Sequence, residues 1–377
     1  MIAGAGPAGA SAALGALTQR PDAKVLILDR APIGRDKSCG DGIAPHAIDV
    51  LRAIGGPTTF DGHPPIPTLE LRNGECGVVR DMRRPALVVP RATFDAAIAT
   101  AALARGAEFM QCQVRTVQQC GSGVMINGQI LARTLIAADG AHSSVRRLVG
   151  GHPVARGRVA MALRGYAPTP PERTGRQIIR FGQTRQPSYA WSFDRGDGFA
   201  NIGYGEVVHR GGARSPLSKA LMIEQIEAML PGSTAGARQW LGHHLPLSAR
   251  HFTHPAGPIL YVGDAASLIN PLTGEGIYYA LATGAMAGVC AAQEGVSTTA
   301  SGGYGAAVRR LLGRHLATTS VLARAVEIPG VLDAGLRAAA RDQGVFDDVV
   351  EVGLGRGTLT PRLVGGLAAA SVGRQHR

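Results

Sequence analysis

The sequence predicts a mixed α/β (α+β) protein, in which a Rossmann-like dinucleotide-binding domain is interleaved with an antiparallel-sheet domain and followed by a helical C-terminal region. Three observations predict this fold class. A G-x-G-x-x-G pattern opens a helical run near the N-terminus. Apolar and polar residues alternate within residues 151–254, as in antiparallel strands with one buried face. Beyond about residue 300 the chain is rich in Leu, Ala and Val, with helix breaks at Pro329-Gly330 and Pro361.

Length and composition limit the possible classes of protein. The 377 residues suffice for two domains, or for one large domain with an insertion. The formal net charge is +12, but the arginines are scattered without a basic stripe, so no nucleic-acid partner is expected. Five irregularly spaced cysteines without a C-x-x-C pair predict neither disulfides nor a zinc site, and they favour a cytoplasmic location. No apolar run approaches the roughly 18 residues of a transmembrane helix.

The first motif is Gly4-Ala5-Gly6-Pro7-Ala8-Gly9, at the start of a helical run. Its three glycines would make a tight turn, let the backbone approach a pyrophosphate, and let helix and strand pack closely. The phosphates would then lie at a helix N-terminus, where free N–H groups favour negative charge. Residues 24–29 read as a buried strand ending in Asp29, which has the spacing of a ribose-binding acid, and Arg30 is assigned to the same site.

Two later apolar strands also end in an acidic residue. The first is followed by Asp139-Gly140 and a helix start with serine capping candidates. The second ends in Gly263-Asp264, and Pro271–Ile277, which contains Gly274 and Gly276, then opens a long helix. Together with the first motif, these stretches indicate one large dinucleotide bound at both ends.

In all three fingerprints the chain resembles the FAD-dependent oxidoreductases built like p-hydroxybenzoate hydroxylase. This resemblance implies FAD as the cofactor, with Asp264 bonded to the ribityl chain and the turn that ends at Ile277 facing the pyrimidine edge of the flavin. A helix N-terminus at that edge would stabilise negative charge on the reduced flavin. Arg91 matches an arginine near the FAD, with a helix-flanking surface charge as the alternative. Asp139 could contact the pyrophosphate or a nicotinamide cofactor, or could cap a turn.

An aromatic strand narrows the resemblance to one subfamily. Tyr189, Trp191 and Phe193, followed by Gly203-Tyr204-Gly205, resemble the Y-x-W-x-F-P and G-x-G signature of the geranylgeranyl reductase family. Spacing by two residues puts the three rings on one strand face, where they would form a wall for an apolar substrate. The alternative is an aromatic face that only packs the sheet. The chain departs from the signature at Asp194, where proline is usual.

A second segment supports the same resemblance. Cys39-Gly40-Asp41-Gly42 looks like the stretch that these reductases place over the flavin. Gly40 and Gly42 would allow the backbone to approach the ring and the substrate closely. Cys39 could help to protonate a substrate carbon or shape the pocket, and its alternative role is that of a small buried hydrophobe.

The predicted domain organisation is interrupted. Residues 1–60, 85–150 and 255–293 are assigned to the FAD-binding domain, residues 61–84 and 151–254 to the substrate-binding domain, and residues 294–377 to the C-terminal helical region. The family resemblance covers about residues 1–290, so the tail receives no role from it. Its apolar helices carry Arg310, Arg314 and Arg324, which would permit peripheral contact with a membrane.

The resemblance implies a reductase. The reduced flavin would give hydride to one carbon of a C=C bond in an isoprenoid (geranylgeranyl or polyprenyl) or related apolar substrate, and a proton would reach the other carbon. The rings of Tyr189 and Trp191 could stabilise developing positive charge. Because the chain has no second G-x-G-x-x-G, NADPH and a ferredoxin-type protein are both compatible electron donors, and a basic surface would suit an acidic carrier.

Three other functions share part of this pattern. An FAD-dependent monooxygenase that tailors a secondary metabolite would carry the same FAD motifs. A halogenase would have Trp where Tyr189 stands and Ile-Pro where Phe193-Asp194 stands. Isoprenoid-binding escort proteins share the general fold without redox chemistry, but they would not need the first glycine motif, Asp29 and Asp264 together.

Overall fold

A computed structural model of the chain describes residues 1–121, 123–150, 159–208, 217–293 and 297–372. The parts of the predicted ranges 151–254 and 294–377 that fall on 151–158, 209–216, 294–296 and 373–377 lie outside the described residues. Within the described residues the strands are β1 (Ile2–Ala3), β2 (Leu26–Asp29), β3 (Gly42–Ile43), β4 (Ile66–Asn73), β5 (Cys76–Val88), β6 (Glu108–Gln111), β7 (Val117–Cys120), β8 (Gly123–Ile126), β9 (Ile130–Ala132), β10 (Leu135–Ala137), β11 (Val159–Pro168), β12 (Arg176–Phe181), β13 (Ser188–Asp194), β14 (Phe199–Val208), β15 (Arg238–Pro246) and β16 (Ile259–Tyr261).

The helices over the same residues are α1 (Pro7–Gln19), α2 (Pro45–Ala53), α3 (Arg91–Ala104), α4 (Ser144–Leu148), α5 (Lys219–Met229), α6 (Ile277–Ala292), α7 (Ser297–Ala325), α8 (Val331–Arg341), α9 (Gln343–Leu354) and α10 (Pro361–Val372). Two short 3₁₀ turns lie at Pro171–Arg173 and Gly263–Ala266. No helix among the described residues is both long and apolar enough to cross a membrane.

The first sheet is parallel and has the order β16-β10-β1-β2-β6 in the described chain. Helix α1 packs closely on α6, because glycines stand where the two backbones meet. A Cβ added to Gly284 would lie 2.1 Å from the carbonyl oxygen of Ala8, and one added to Gly288 would lie 2.0 Å from that of Ala12. The predicted Rossmann-like part of the fold is therefore confirmed, with a close helix pair behind its first glycine loop.

The second sheet has the order β15-β11-β14-β13-β12-β4-β5-β3, and its described pairs are antiparallel except for the parallel pair β4–β12. A further small sheet, β7-β8-β9, is antiparallel. This confirms the predicted antiparallel component of the fold. The division into domains stays a prediction, and β5 runs across the expected border at residues 84 and 85.

The C-terminal helices pack on the second sheet. Leu69 and Leu71 of β4 and Val78 of β5 share a buried cluster with Leu336 of α8 and Phe346 of α9. The predicted helical tail is confirmed, and it covers one end of the second sheet.

Candidate active site

A cavity of about 810 Å³ is bordered by both large sheets and by the C-terminal helices. The predicted site residues that line it are Gly4, Gly6, Asp29, Arg30, Cys39, Gly40, Gly42, Arg91, Asp139, Tyr189, Trp191, Phe193, Asp264, Gly274, Gly276 and Ile277. Gly9 and Gly263 do not line it. A Cβ on Gly9 would lie 1.8 Å from the carbonyl oxygen of Gly4, so this glycine serves the packing of helix on strand, as predicted. The fold brings together residues that are far apart in the chain, and their roles as ligands stay predictions.

The glycine loop is held by the acid at the end of β2. Asp29 accepts hydrogen bonds from the backbone N–H groups of Ala5, at 2.8 Å, and Ala31, at 3.0 Å, one on each carboxylate oxygen. Each oxygen retains a further lone pair, so the carboxylate can accept from a ribose hydroxyl without releasing the loop. At Gly4 the backbone is left-handed, with φ of +111°, and an added Cβ would lie 2.3 Å from the carbonyl oxygen of Ala138.

Asp139, at the end of the strand that precedes α4, offers a test of whether this end of the cavity suits a bound cofactor. Its Oδ2 accepts from the backbone N–H of Val145 at 3.0 Å, which fulfils the capping role considered for it. Its Oδ1 is buried and has no hydrogen-bond partner among the described residues. A buried carboxylate oxygen without a donor is costly, so a hydroxyl or N–H group of a bound molecule would stabilise it. The cradle of glycines and this unpaired oxygen fit a dinucleotide.

Arg91 and Asp95 form a buried ion pair beside the glycine loop. Nε and Nη2 of Arg91 donate to the two oxygens of Asp95, both at 2.7 Å. A Cβ on Gly6 would lie 3.9 Å from Oδ2 of Asp95 and 4.0 Å from Nη2 of Arg91, so the pair borders the loop. With 5% of its surface exposed, Arg91 is not the surface charge that the sequence left open as an alternative.

Asp264 has a partner that sequence reasoning did not single out. Nζ of Lys37 lies 3.3 Å from Oδ2 of Asp264, and the two side chains are 20% and 15% exposed. Lys37 belongs to the same segment as Cys39, and it ties that segment to the turn at Gly263–Ala266. The available signal was its place two residues before Cys39, but its partner lies far away in the sequence.

The turn before α6 carries a buried acid. Glu275 accepts from the backbone N–H of Tyr278 at 2.8 Å, and burial raises the pKa of Glu275 to about 7. Gly274 has φ of +77°, and an added Cβ there would lie 3.1 Å from the hydroxyl oxygen of Tyr189. That hydroxyl donates to the backbone carbonyl of Thr273. The aromatic strand is therefore joined directly to the turn that the resemblance assigns to the flavin edge.

The three predicted aromatic side chains do form one wall. The ring centroids of Tyr189 and Trp191 lie 5.8 Å apart, and those of Trp191 and Phe193 lie 6.4 Å apart. A Cβ on Gly40 would lie 3.4 Å from the Phe193 ring, so the Cys39 segment faces this wall closely. Gly203 leaves room for the indole, because a Cβ there would lie 2.1 Å from Cζ2 of Trp191. The first glycine of the G-x-G signature thus has a steric reason.

Asp41 is the centre of a hydrogen-bond network that the sequence did not predict. Its Oδ2 accepts from the hydroxyl of Tyr166 at 2.6 Å and from Nδ2 of Asn201 at 2.8 Å. Asn201 also donates to the carbonyl of Cys39, at 2.8 Å, and accepts from the Trp191 indole N–H at 2.8 Å. Burial raises the pKa of Asp41 to about 6, against the opposing effect of its hydrogen bonds. Burial also raises the pKa of the Cys39 thiol, which Arg91 only partly offsets.

The far end of the cavity is apolar and was missed entirely. Side chains from β4, β12 and the C-terminal helices line it, including Leu69, Leu71, Ile179, Phe181, Leu322, Val326, Leu332, Leu336, Val349, Leu363 and Leu367. No sequence motif identifies these positions, because the only property that their side chains share is that they are apolar. The arrangement offers a polar end for a dinucleotide, an aromatic middle, and an apolar end for a hydrocarbon chain.

Comparison with known proteins identifies the class to which this fold and site belong. Residues 1–165 match the family model described as an FAD binding domain. The solved structure of a geranylgeranyl bacteriochlorophyll reductase-like protein from Thermoplasma acidophilum is similar with a TM-score of 0.78 at 21% sequence identity, over 98% of this chain and 94% of that one. The fold is that of FAD-dependent oxidoreductases, and FAD is the cofactor.

Sequence relatives identify the family. The chain is 32% identical over 349 residues to menaquinone reductase of Mycolicibacterium smegmatis. The matched region covers 86% of this chain and 82% of the relative. The chain is also 32% identical over 311 residues to digeranylgeranylglycerophospholipid reductase 1 of Methanopyrus kandleri, covering 78% and 80%. The chain belongs to the geranylgeranyl reductase family of FAD-dependent oxidoreductases. The predicted FAD-dependent reduction of C=C bonds in isoprenoid-type substrates is confirmed for this family, and the monooxygenase and halogenase alternatives are less favoured.

Proposed function

We propose that this enzyme reduces one or more C=C bonds in the prenyl chain of a lipid, with the chain lying in the apolar end of the cavity. The observation that carries this proposal is the continuity of the cavity from the glycine loop, past the aromatic wall, to the apolar side chains of the C-terminal helices. A prenyl chain is long and has no polar group along its length, so burial of its surface is the main favourable contribution to its binding. The relatives are named for a quinone and a glycerophospholipid, and both substrates fit this class.

The cofactor end has a proposed division of roles. Gly4 and Gly6 would let the backbone approach the pyrophosphate, and Asp29, with Arg30 beside it, would bind the adenosine part. Asp264 would accept from the ribityl chain, and the N–H groups from Gly274 to Ile277 would face the pyrimidine edge. When bound, the reduced flavin supplies the hydride. The Arg91–Asp95 ion pair borders the glycine loop, and the unpaired Oδ1 of Asp139 would accept a hydrogen bond from the cofactor.

The middle of the cavity is where the double bond would lie. Trp191 and Tyr189 present ring faces that can stabilise positive charge developing on an alkene carbon. Because the Tyr189 hydroxyl is bonded to the Thr273 carbonyl, this residue would act through its ring and by fixing the turn. Phe193 would extend the same wall beside Gly42, and the Cys39 thiol, with its raised pKa, would face the substrate as a neutral group.

Two classes of electron donor remain proposals, NADPH and a ferredoxin-type protein. Basic side chains at residues lining the cavity support an anionic donor of either class, namely Arg30, Arg35, Lys37 and Arg147. Mixing the oxidised protein with each donor in turn, without oxygen, and following the loss of flavin absorbance distinguishes them. Reduction by NADPH alone, at a rate that saturates with its concentration, would identify the nicotinamide cofactor.

We also propose peripheral contact with a membrane, through the C-terminal helices. Val321, Ile328 and Val364 are 47%, 58% and 51% exposed, and each lies within a few residues of side chains that line the apolar end. A lipid substrate could pass from a bilayer into the cavity there. Flotation with vesicles that contain anionic lipid should retain the protein, and changing all three residues to Ser should release it. The five cysteines, free in the structure, support a reducing compartment such as the cytoplasm.

The central test of the function is an anaerobic turnover. The flavin is reduced chemically without oxygen, a geranylgeranyl lipid or menaquinone is added, and flavin absorbance and substrate mass are followed together. Reoxidation of the flavin with a gain of two hydrogens in the substrate supports the reductase. A flavin that stays reduced until oxygen is admitted, with oxygen then appearing in the product, would support the monooxygenase instead.

A further inference from the structure

We propose that Asp41 is the acid that delivers the proton to the second carbon of the double bond. This inference rests on the proposed reduction, and it assigns to Asp41 a role that the sequence had left with Cys39. Asp41 lies between Gly40 and Gly42, at the wall of the cavity and beside the aromatic strand. Its side chain has 0% of its surface exposed, so the cavity wall must shift for the carboxyl to reach a substrate carbon.

The backbone at Asp41 is held in an unusual conformation. Its φ is +59°, in the left-handed region that residues other than glycine rarely adopt. Its carbonyl oxygen accepts from the N–H of Val89 at 2.9 Å. Residues held in this region cluster at active sites, and Asp enters it more readily than most other residues. The conformation directs the acidic side chain into the protein, where it meets Tyr166 and Asn201.

The two carboxyl oxygens of Asp41 have different surroundings. Oδ2 accepts two hydrogen bonds, from Tyr166 and Asn201, whereas Oδ1 is buried and unpaired among the described residues. An unpaired buried oxygen disfavours the ionised form, because the negative charge is not stabilised on that side. With its pKa raised to about 6, the carboxyl is mostly protonated below pH 6 and only in minor part at pH 7. The groups of neighbouring elements that influence this pKa are Tyr166, Asn201, Arg164 and Arg91, and Cys39 lies nearby in the same segment.

The same network joins Asp41 to the substrate wall. Asn201 bonds to both Asp41 and the indole of Trp191, so a single amide fixes the acid relative to the ring proposed to face the alkene. Two other candidate acids line the cavity. The Tyr189 hydroxyl is already a donor to a backbone carbonyl, and Glu275, whose pKa is raised to about 7, belongs to the turn assigned to the flavin edge.

The proposed step is balanced. Bound reduced FAD would supply a hydride, which would form a C–H bond at one alkene carbon, and the electron pair of the π bond would take the proton of Asp41 at the other carbon. The flavin is oxidised, the alkene is reduced, and Asp41 is left as a carboxylate. The hydroxyl of Tyr166 and the amide of Asn201 stabilise that charge until solvent returns the proton.

The principal experiment compares wild type with Asp41→Asn in a single anaerobic turnover of the reduced, FAD-loaded enzyme. We expect flavin reoxidation by the prenyl substrate to slow by about 10²- to 10⁴-fold, the usual contribution of general acid catalysis. Reoxidation by oxygen should not change, because it needs no proton from the substrate wall. Asp81→Asn, an exposed acid on β5 outside the cavity lining, is the matched control and should keep the wild-type rate.

A pH profile separates an acid from a merely structural residue. The wild-type rate should fall as the pH rises above about 6, since the acid must be protonated to act. Tyr166→Phe removes a hydrogen bond that lowers the pKa of Asp41, so the falling limb should move to higher pH. Asp41→Asn should lack this limb. An unshifted limb in Tyr166→Phe, or a wild-type rate in Asp41→Asn, would overturn the proposal.

Infrared spectroscopy gives a readout that does not depend on turnover. The purified protein should show a protonated carboxyl band that titrates near pH 6 and is missing in Asp41→Asn. If wild type does not react with any prenyl substrate, the proposed function fails, while this band still reports whether Asp41 holds a proton. If the band is absent, the assignment of Asp41 fails whatever the substrate.

Discussion

The two ends of the cavity are built on different principles. The cofactor end is built from glycines and individual acidic residues. Each of them has one steric or hydrogen-bonding role, such as that of Asp29, which accepts from the N–H of Ala5. The apolar end uses many Leu and Val side chains from elements that lie far apart in the chain. A single substitution at the cofactor end should therefore abolish cofactor binding. A single substitution at the apolar end should change the preferred substrate chain length only gradually.

The largest expected effect is at the cofactor end, at Gly9. Gly9→Ala puts a methyl group 1.8 Å from the carbonyl oxygen of Gly4, so helix α1 or the glycine loop must move. We expect the protein to purify without yellow cofactor, or with FAD affinity lowered by more than about 100-fold, because overpacking against the backbone costs several kcal/mol. Flavin absorbance per protein measures this.

The matched control is Gly313→Ala in α7. A Cβ there meets no atom within 4 Å and the position has no left-handed backbone, so FAD content should be unchanged. Stability should be equal or higher by up to about 1 kcal/mol, the helix preference of Ala over Gly. Full flavin content in Gly9→Ala would show that the first loop tolerates more than its packing suggests.

The apolar end is tested by narrowing it. A Cβ on Gly335 would lie at an ordinary contact distance of 3.6 Å from Leu367, so the backbone accepts a side chain that extends into the cavity. With Gly335→Leu we expect KM for a long prenyl substrate to rise about tenfold, with a smaller change for a short one, because lost apolar contacts cost about 1–3 kcal/mol. Steady-state kinetics with substrates of two chain lengths measures the difference.

Gly365→Leu on α10 serves as its control, since that position is exposed and a Cβ there meets nothing within 4 Å. Its KM values should match wild type for both chain lengths. Equal effects of the two substitutions would mean that the prenyl chain lies elsewhere.

Asp41 allows a smaller, thermodynamic test. Its pKa of about 6 in the folded protein exceeds the ordinary value of 3.8, so its ionisation penalty is absent below pH 4 and complete above pH 6. Asp41→Asn removes the charge and should therefore change stability more favourably at pH 8 than at pH 4, by about 1–3 kcal/mol. Thermal unfolding of both proteins at the two pH values measures this, and a difference of zero or opposite sign would contradict the raised pKa.

The smallest effect concerns the hydrogen-bonded contact between α2 and α9. Nε2 of His46 lies 2.8 Å from Oε2 of Glu351, and this contact lowers the pKa of Glu351. Its stabilisation is present above the ordinary pKa of a glutamate and is lost as pH falls through the lowered value. Because the Glu351 side chain is 43% exposed, solvent screens the pair, and Glu351→Gln should cost below about 1 kcal/mol at pH 6. The difference is measured by thermal unfolding of Glu351→Gln and of the control Glu224→Gln, which changes an exposed acid on α5. Equal changes in Tm would mean that the His46–Glu351 contact contributes no net stability.

Local rules of the chain determined much of this protein. The spacing of Gly4, Gly6 and Gly9 and the position of Asp29 predicted the dinucleotide loop, because turns and helix starts depend on neighbouring residues. The spacing of Tyr189, Trp191 and Phe193 by two residues predicted the aromatic wall, because a strand alternates its faces. These features lie within short segments, so the sequence alone contained them.

Only the tertiary structure decided which distant groups meet. Lys37 and Asp264 are 227 residues apart, and Asp41 is 125 residues from Tyr166 and 160 from Asn201. A hydrogen bond between such residues leaves no local pattern in the sequence, and burial raises a pKa only once the surrounding elements have packed. The apolar end of the cavity could not be predicted for the same reason. In the sequence, the Leu and Val residues of the C-terminal helices that line the cavity cannot be distinguished from those that pack in the core.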